Sequence, residues 1–481
     1  MHVRVLKGKF SLCIYPILDE KTAEWKMKFE GKKVLVIGAG LAGTDAATFL
    51  ANNGVKVVLA ECKTLALNPA QKMKTFAELV CTNSLKSMNP DSGHGLLKYE
   101  MNAMGSYILS KGMEYAVPAG DALAVNREDF SKAITEGLKS HENIEVIEVE
   151  AENPLELQEK LECSYTIVAT GPLTTEKLEK WLTSDLTEDD FYFYDAIAPV
   201  VDADSLDYSK LYYKDRHKEL SEEEGESADY LNAPMTKEEY EDFIAELVEA
   251  EKVPAQKFED YKFFESCLPV DIMAERGVDT ARFSCMKPIG LEKEDGTLPY
   301  ACVQLRKENL LGSAFNLVGF QTRLTYKEQI RVFRKIPGFA EASFIHLGSV
   351  HRNSFLNSKK LLNFDLSSKK YESIHFAGQI TGVEGYTESA SMGLYVAWQV
   401  LRKLEGKPAV AWPVDTGIGA LVNYIMTVHK PSPSNINFGL LPTVALNKEE
   451  RKNRKLRKKI KKAKASARAR ESFDQFMDEN K

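Results

Sequence analysis

The sequence predicts an α/β fold in which one parallel sheet is assembled from two distant parts of the chain, with an α+β domain inserted between them. Three apolar runs that each lead into glycines carry this prediction: KVLVI at 33–37, YTIVATG at 165–171 and IHFAGQITG at 374–382. Residues 199–361, between the second and third runs, have strand and helix patterns of their own and are numerous enough for a separate domain.

The first run opens a pattern that is typical of dinucleotide binding. A strand at 33–37 precedes a glycine turn, a helix follows over 44–53, and a second strand over 55–60 ends at Glu61. The turn consists of Gly38, Ala39, Gly40, Leu41, Ala42 and Gly43. In this pattern the first glycine permits a tight turn, the second lets a pyrophosphate approach the backbone, the third allows close helix packing, and the acid binds ribose hydroxyls. The alternative is a glycine turn with a purely structural role, which would not need the strand, helix, strand and acid around it.

The two later runs favour FAD over a nicotinamide cofactor alone. One ends at Gly171, and the other contains Gly378 and Gly382 and leads through a glycine loop with Tyr386 into a helix rich in small residues. In flavoproteins the last strand and its helix bring backbone N–H groups to the flavin end of FAD. The sequence therefore predicts a Rossmann-like two-dinucleotide FAD-binding domain, interrupted by an inserted α+β domain. Tyr386 would stack on the isoalloxazine ring or, equally plausibly, pack against protein.

The predicted organisation has five parts. They are an N-terminal extension (1–28), the first part of the FAD-binding domain (29–198), an inserted substrate or RNA domain (199–361), the second part with the C-terminal region (362–447), and a basic tail (448–481).

Charge is distributed unevenly along the chain. The net charge is −7, yet residues 451–470 hold twelve Lys or Arg and no acid, so the remaining residues together carry −19. Such a block is commonly a solvated, poorly ordered arm. The other interpretation, of equal weight, is electrostatic attraction to nucleic-acid phosphate.

The seven cysteines suggest a reducing, cytoplasmic location. No two of them form a C-x-x-C pair, which argues against a disulfide framework, a structural zinc site or a flavin disulfide reductase. No stretch reaches the roughly 20 apolar residues that a membrane-spanning helix needs, so no membrane partner is expected. Most intracellular cysteines are small buried hydrophobes. Cys81, in FAELVCTNSL, and Cys267, in FFESCLPV, stand in less ordinary contexts.

A series of motifs, in this order, gives the chain a specific resemblance: GAGLAG, FAELVCTNSL, LLKYEM, VPAGDALAVNREDF, ATGPLT, FYFYDA, YLNAPMTKEEY, CLPVDIMAERGVDT, MKPIGL, NLVGFQT, HRNSF, FAGQITGVEGYTES and NFGLLP. Together they closely resemble the bacterial folate- and FAD-dependent tRNA uracil-5-methyltransferase family, over residues 33–442. The departures are Thr82, where Ser is expected, the first 26 residues, and a longer and more basic tail.

The resemblance implies an enzyme that forms 5-methyluridine in the T-loop of tRNA. Methylenetetrahydrofolate would donate the carbon, reduced FAD would carry it and supply electrons, and NADH or NADPH would regenerate the flavin. It also implies two catalytic thiols, Cys81 and Cys267. One would add to uracil C6, and the other would assist in methylene handling or in removing the C5 proton. The place of Cys267 in the inserted domain favours it as the C6 nucleophile, although the sequence leaves both assignments open.

Three other functions compete with this interpretation. They are the same chemistry on 23S ribosomal RNA, a non-catalytic FAD-binding scaffold for RNA modification, and a small-molecule flavin oxidoreductase. Candidate contacts for phosphate or for the folate glutamate are Arg276, Lys287, Arg306, Arg323 and Arg352.

Overall fold

The structure is a computed structural model that describes residues 29–66, 68, 70–186, 192–196, 198–216, 228–253, 268–308, 312–348, 350–429, 433–447, 450 and 456–480. The predicted N-terminal extension, residues 1–28, and Cys267 lie outside the described residues.

Strands and helices are numbered in chain order. The strands are β1 (Lys33–Ile37), β2 (Lys56–Glu61), β3 (Ser84–Ser87), β4 (Ala116–Val117), β5 (Ala122–Val125), β6 (Ile144–Glu148), β7 (Tyr165–Val168), β8 (Tyr192–Ala196), β9 (Val200–Asp202), β10 (Tyr212–Tyr213), β11 (Tyr230–Met235), β12 (Ala301–Lys307), β13 (Ala314–Leu317), β14 (Phe344–His346), β15 (Val350–Ser354) and β16 (Ile374–Phe376). The helices are α1 (Leu41–Asn52), α2 (Gly93–Ala103), α3 (Tyr107–Glu114), α4 (Arg127–Ser140), α5 (Pro154–Lys160), α6 (Glu176–Trp181), α7 (Lys237–Glu249), α8 (Val270–Arg276), α9 (Tyr326–Phe333), α10 (Ser358–Leu361), α11 (Tyr386–Leu404), α12 (Gly417–Thr427) and α13 (Arg457–Glu479).

The core of the molecule is a five-stranded parallel sheet in the order β16-β7-β1-β2-β6. The runs KVLVI and KVVLAE are buried along most of their length, as expected for parallel strands whose two faces are both covered. The strand β16 joins this sheet from a point about 200 residues further along the chain than β7. The predicted fold class, a Rossmann-like sheet assembled from two distant parts, is confirmed.

The inserted part has its own sheet and its own core. Its six strands follow the order β10-β11-β12-β13-β9-β14, with antiparallel pairing, and α7 packs against them. The core includes Tyr240, Phe243, Phe320 and Phe333, and none of these residues belongs to the core of the parallel sheet. Strands β8 and β15 pair where the chain enters and leaves this part. The domain boundaries at 198/199 and 361/362 remain predictions.

The helix α11, which follows the last strand of the parallel sheet, lies directly against α1. A Cβ atom at Gly393 would come within 2.1 Å of the Ala42 carbonyl oxygen, and one at Gly378 within 2.7 Å of the Ala42 Cβ. Because glycine is the residue without a Cβ, these two positions let the backbones approach so closely.

The basic tail differs from the solvated arm that its composition suggested. Residues 457–479 form the helix α13, and Phe473 and Phe476 lie 5.8 and 5.3 Å from the Trp412 ring, with Phe476 also 5.7 Å from the Trp398 ring. The smaller residues Ala465, Ser466 and Ala469 are buried along the same face. Burial of this apolar face fixes the helix on the body of the protein.

Two buried carboxylates each cap the N-terminus of a helix. Asp45 accepts hydrogen bonds from Ser106 Oγ (2.6 Å) and Ile108 N (2.9 Å) at the start of α3. Glu100 accepts from the backbone N–H groups of Gly417 (2.6 Å) and Ile418 (2.8 Å) at the start of α12. Burial raises the pKa of Asp45 to about 7 and that of Glu100 to about 8, although these hydrogen bonds lower both.

Within the described residues, no helix is long and apolar enough to cross a bilayer.

We expect the Asp45→Asn variant to gain stability relative to the natural protein as pH rises. Because folding raises the pKa of Asp45 from 3.8 to about 7, the protonated carboxyl contributes fully below about pH 4, and this contribution is lost as pH rises towards 7. Asn cannot ionise, so the free energy of unfolding of the variant relative to the natural protein should rise by about 2 kcal/mol between pH 5 and pH 8. Urea unfolding at both pH values measures this. The exposed Asn102→Ser, which changes no titratable group, serves as the control, and a flat difference for Asp45→Asn would contradict the expectation.

Candidate functional site

The glycine turn after β1 forms an open cradle in front of α1. Gly38 has a φ of +100°, and a Cβ there would lie 2.7 Å from the Ala169 carbonyl oxygen. A Cβ at Gly43 would lie 1.8 Å from the Gly38 carbonyl oxygen, whereas one at Gly40 would meet nothing within 4 Å. Gly40 is also the N-cap of α1 and has no side chain to cap it. The space before Gly40 and the N–H groups of the first helical turn therefore fit an anionic pyrophosphate.

The acid at the end of β2 is tied to this cradle. Glu61 accepts hydrogen bonds from the backbone N–H groups of Ala39 (2.6 Å), Cys62 (2.8 Å) and Lys63 (2.9 Å). These bonds hold its carboxylate beside the glycine turn, on the side where a dinucleotide ribose would lie. Each carboxylate oxygen has more than one lone pair, so a ribose contact is compatible with this arrangement and stays a prediction.

The later glycines divide into two groups. Gly171 has a φ of +71°, and a Cβ there would meet nothing within 4 Å, so its surroundings are open like those of Gly40. Gly378 has a φ of +83° and is needed for the contact with Ala42, while Gly382 has a φ of +94° and lies near the Phe355 ring. The open position of Gly171 suits a ligand, whereas Gly378 allows a close backbone contact that shapes its surroundings.

Cys81 lies at the end of a segment that runs from the cradle to the start of α11. The Ala77 N–H donates to the Ala39 carbonyl (2.9 Å), and the N–H groups of Cys81 and Thr82 donate to Tyr386 Oη (2.7 and 3.3 Å). Tyr386 was predicted in a loop, but it is the first residue of α11, because the helix begins directly after the N-cap Gly385 at a φ of +105°. Burial, followed by the nearby Cys81, raises the pKa of Tyr386, so its phenol stays neutral.

Two guanidinium groups flank Cys81 along the chain. Arg127 Nη1 donates to the carbonyls of the two preceding residues, Leu79 (3.0 Å) and Val80 (3.5 Å), and Arg127 pairs with Glu308 at 2.8 Å. Arg306, on β12 of the inserted part, donates to the side chains of the two following residues, Thr82 and Asn83, the latter at 2.8 Å. The two parts of the protein therefore meet at the Cys81 segment.

Two of the five candidate cations for phosphate or folate are engaged within the protein. Arg306 was a candidate for phosphate or folate, but it is 6 % exposed and hydrogen-bonded to Thr82 and Asn83, and burial lowers its pKa. Arg323 pairs with Asp271 (2.6 Å) and Glu275 (2.7 Å). Arg276 and Lys287 are exposed, and the Arg352 side chain lies outside the described residues.

Arg127 was not singled out from the sequence. Its position just after the helix N-cap Asn126 gives no sign of the distant carbonyl groups that it contacts. His346, at the end of β14, was also missed. Burial and the charges of Lys72 and Arg127 lower the pKa of His346, which marks it as part of the same cationic surroundings.

Comparison with known proteins gives concordant results. The family model described as glucose inhibited division protein A matches residues 33–408. A protein of Natranaerobius thermophilus, named methylenetetrahydrofolate–tRNA-(uracil-5-)-methyltransferase TrmFO, is 44% identical over 449 residues, covering 93% of this chain and 99% of the relative. A protein of the same name from Aquifex aeolicus is 46% identical over 426 residues, covering 88% of this chain and 93% of the relative.

Among solved structures, Aquifex aeolicus GidA in its form I crystal has a TM-score of 0.64 and 16% identity, covering 92% of this chain and 76% of that chain. The form II crystal has a TM-score of 0.60 and 16% identity, covering 84% of this chain and 69% of that chain. At this identity the likeness concerns the fold.

Alanine at Gly40 and at Gly43 should have opposite consequences. The Gly40→Ala Cβ enters the open cradle, so the variant should fold normally and lose flavin by obstructing the pyrophosphate. The Gly43→Ala Cβ would collide with Gly38, so that variant should lose stability by about 2 kcal/mol or more. Flavin absorbance per protein and urea unfolding of the flavin-free forms measure the two effects. Full flavin content in a folded Gly40→Ala protein would show that no pyrophosphate binds in the cradle.

Proposed function

Since the chain belongs to the family of methylenetetrahydrofolate–tRNA-(uracil-5-)-methyltransferases, within the wider group that the GidA family model describes, we propose that it methylates C5 of a uracil in the T-loop of tRNA. The carbon donor would be methylenetetrahydrofolate and the product 5-methyluridine. This activity is compatible with a cytoplasmic enzyme.

One observation supports the proposal most strongly. The segment that carries Cys81 is hydrogen-bonded at its beginning to the glycine turn, through Ala77 and Ala39, and at its end to Tyr386 of α11. A thiol is thereby held between the dinucleotide cradle and the helix expected to lie beside the flavin ring. A flavin and a thiol near one substrate are the combination that folate-dependent methylation of uracil requires.

The thiol is needed because uracil C5 is a poor nucleophile. A thiolate that adds to C6 forms a carbon–sulfur bond and moves the C5–C6 electron pair towards the C4 carbonyl oxygen as an enolate. Carbon C5 can then attack an activated one-carbon unit. Loss of the C5 proton to a base then expels the carrier nitrogen from that carbon and leaves an exocyclic methylene on C5. A hydride, which brings the two electrons needed to turn methylene into methyl, adds to this carbon as the thiolate leaves C6, and the C5–C6 double bond is restored. Reduced FAD in the cradle would supply the carrier of the one-carbon unit and the electrons, which NADH or NADPH would replenish.

The neighbours of Cys81 suit this chemistry. Arg127 and Arg306 donate to residues just before and just after Cys81 and so hold its segment in place, with the charge of Arg127 balanced by Glu308. Tyr386 fixes the backbone at Cys81 with a neutral phenol. Cys267 remains the proposed second thiol from the sequence resemblance. Which of the two adds to C6 is part of the experiment below.

Alanine at either proposed thiol should abolish methylation without removing flavin. We expect Cys81→Ala and Cys267→Ala to lower the methylation rate at least about 100-fold, since each removes a covalent or proton-transfer step. The measurement is transfer of label from methylenetetrahydrofolate to unmodified tRNA, with ribosomal RNA as a parallel substrate. The buried Cys163→Ala should retain activity.

The nucleophile can then be identified by trapping. With 5-fluorouracil-containing tRNA, the variant that lacks the C6 nucleophile should form no covalent protein–RNA adduct. Retention of methylation by both thiol variants would contradict the proposed mechanism. Methylation of ribosomal RNA alone would contradict the proposed substrate.

Removing the Tyr386 hydroxyl should slow the reaction by misplacing Cys81. The Tyr386→Phe change deletes the acceptor of two backbone hydrogen bonds, each contributing about 1 kcal/mol, so we expect about a tenfold lower kcat/KM with unchanged flavin content. The matched control is Tyr395→Phe on the same helix, whose hydroxyl donates to the Phe364 carbonyl (2.7 Å). Equal activities of the two variants would show that this contact does not position the thiol.

A further inference from the structure

The helix α13 has one face anchored on the protein. Ser466 Oγ donates to the Pro90 carbonyl (2.6 Å), and Asp474 accepts from Tyr99 Oη (2.7 Å). Together with the packing of Phe473 and Phe476 on Trp412, these contacts fix the helix at several points from Ser466 onwards. Its position therefore does not depend on a bound partner.

The other face of its first half is strongly cationic. We call the exposed residues Arg457, Lys458, Lys459, Lys461, Lys462 and Lys464 the cationic face. No acid occurs between 457 and 470. Of these six residues, Lys464 alone forms an ion pair with the described part of the chain, to Glu450 at 2.7 Å. Five cations are thus unneutralised by the residues that the structure describes, on a chain whose other residues are acidic overall.

The direction of α13 brings the cationic face towards the start of α11, where Tyr386 is hydrogen-bonded to Cys81. Ser466 is hydrogen-bonded to Pro90, just before α2, and Asp474 is hydrogen-bonded to Tyr99, further along α2. Because both contacts advance in the same direction, α13 and α2 run parallel. The cationic face therefore extends past the N-terminal end of α2, by about 10 Å at 1.5 Å per residue. That end of α2 contacts the start of α11, where His94 Nδ1 lies 3.2 Å from Glu388, two residues after Tyr386.

We propose that the cationic face of α13 binds the phosphate backbone of the RNA substrate next to the thiol site. This inference rests on the proposed function and adds the surface by which the RNA is held. Lysines on a fixed helix release counterions when they meet phosphate and thereby contribute affinity that depends on salt. An amphipathic helix that binds membranes would need its apolar face, and here that face is covered by Trp398 and Trp412.

The test replaces three lysines that share one side of the helix. The full-length variant Lys458→Gln/Lys461→Gln/Lys462→Gln is compared with the natural protein in binding an unmodified tRNA transcript across a range of salt, without folate or reductant. We expect the Kd at 0.15 M salt to rise about tenfold or more, and the slope of log Kd against log salt to fall by about two. The loss of methylation efficiency should appear mainly in KM.

Two control variants distinguish an effect of the cationic face from an effect of net charge or of misfolding. The exposed lysines of other helices, changed as Lys132→Gln/Lys160→Gln/Lys237→Gln, remove the same charge and should change Kd less than twofold. The variant Lys458→Arg/Lys461→Arg/Lys462→Arg should bind like the natural protein. Equal unfolding midpoints establish that all variants are folded.

The outcomes distinguish this inference from the proposed function. If the glutamine variant binds tRNA with the Kd and salt slope of the control variant, the cationic face does not hold RNA, even if methylation proceeds. If tRNA binding weakens as expected but no RNA is methylated, the cationic face binds RNA and the proposed function is wrong. Binding of the natural protein to vesicles with anionic lipid, lost in the glutamine variant while tRNA binding is retained, would assign the face to a membrane instead.

Discussion

The close contact between α1 and α11 determines the geometry of the candidate site. No side chain fits at Gly393, where a Cβ would lie 2.1 Å from the Ala42 carbonyl oxygen, and none fits at Gly378. Because α1 begins at the glycine cradle and α11 begins at Tyr386, this one contact places the pyrophosphate position and the Tyr386 hydroxyl relative to each other. A larger residue at Gly393 would separate the helices and disturb both ends of the site at once.

The Cys81 segment depends on that contact and also on the inserted part. Its first half is hydrogen-bonded to the cradle through Ala39, and its end is held by Arg306 from β12. Asn83 also donates to the Lys307 carbonyl (3.0 Å), so strand β12 is bonded directly to the segment. A shift of the inserted part would therefore move Thr82 and Asn83, next to the thiol.

Much of the core could be predicted from the sequence because its signals are local. The strand runs and the glycines at 38, 40 and 43 specify their structure within a few residues, and the strand pairing follows the expected α/β pattern. The contacts of Arg127, Arg306 and Tyr386 could not be predicted, because each joins residues about 50 to more than 300 positions apart. The docking of α13 could not be predicted from the sequence for a different reason. The two rings that dock, Phe473 and Phe476, stand among acidic and polar residues, and the aromatic surface that receives them comes from another part of the chain.

The anchored position of α13 changes what its charge can do. A flexible arm with the same lysines would lose conformational freedom each time it met RNA, and that loss would offset part of the electrostatic gain. A helix already fixed by Phe473 and Phe476 avoids most of this cost and presents its cations in one orientation. The acidic remainder of the chain repels a polyanion from other approaches, since residues outside 451–470 together carry −19. Attraction at one end and repulsion elsewhere would orient the RNA before any base reaches Cys81, so the charge pattern favours correct orientation as well as affinity.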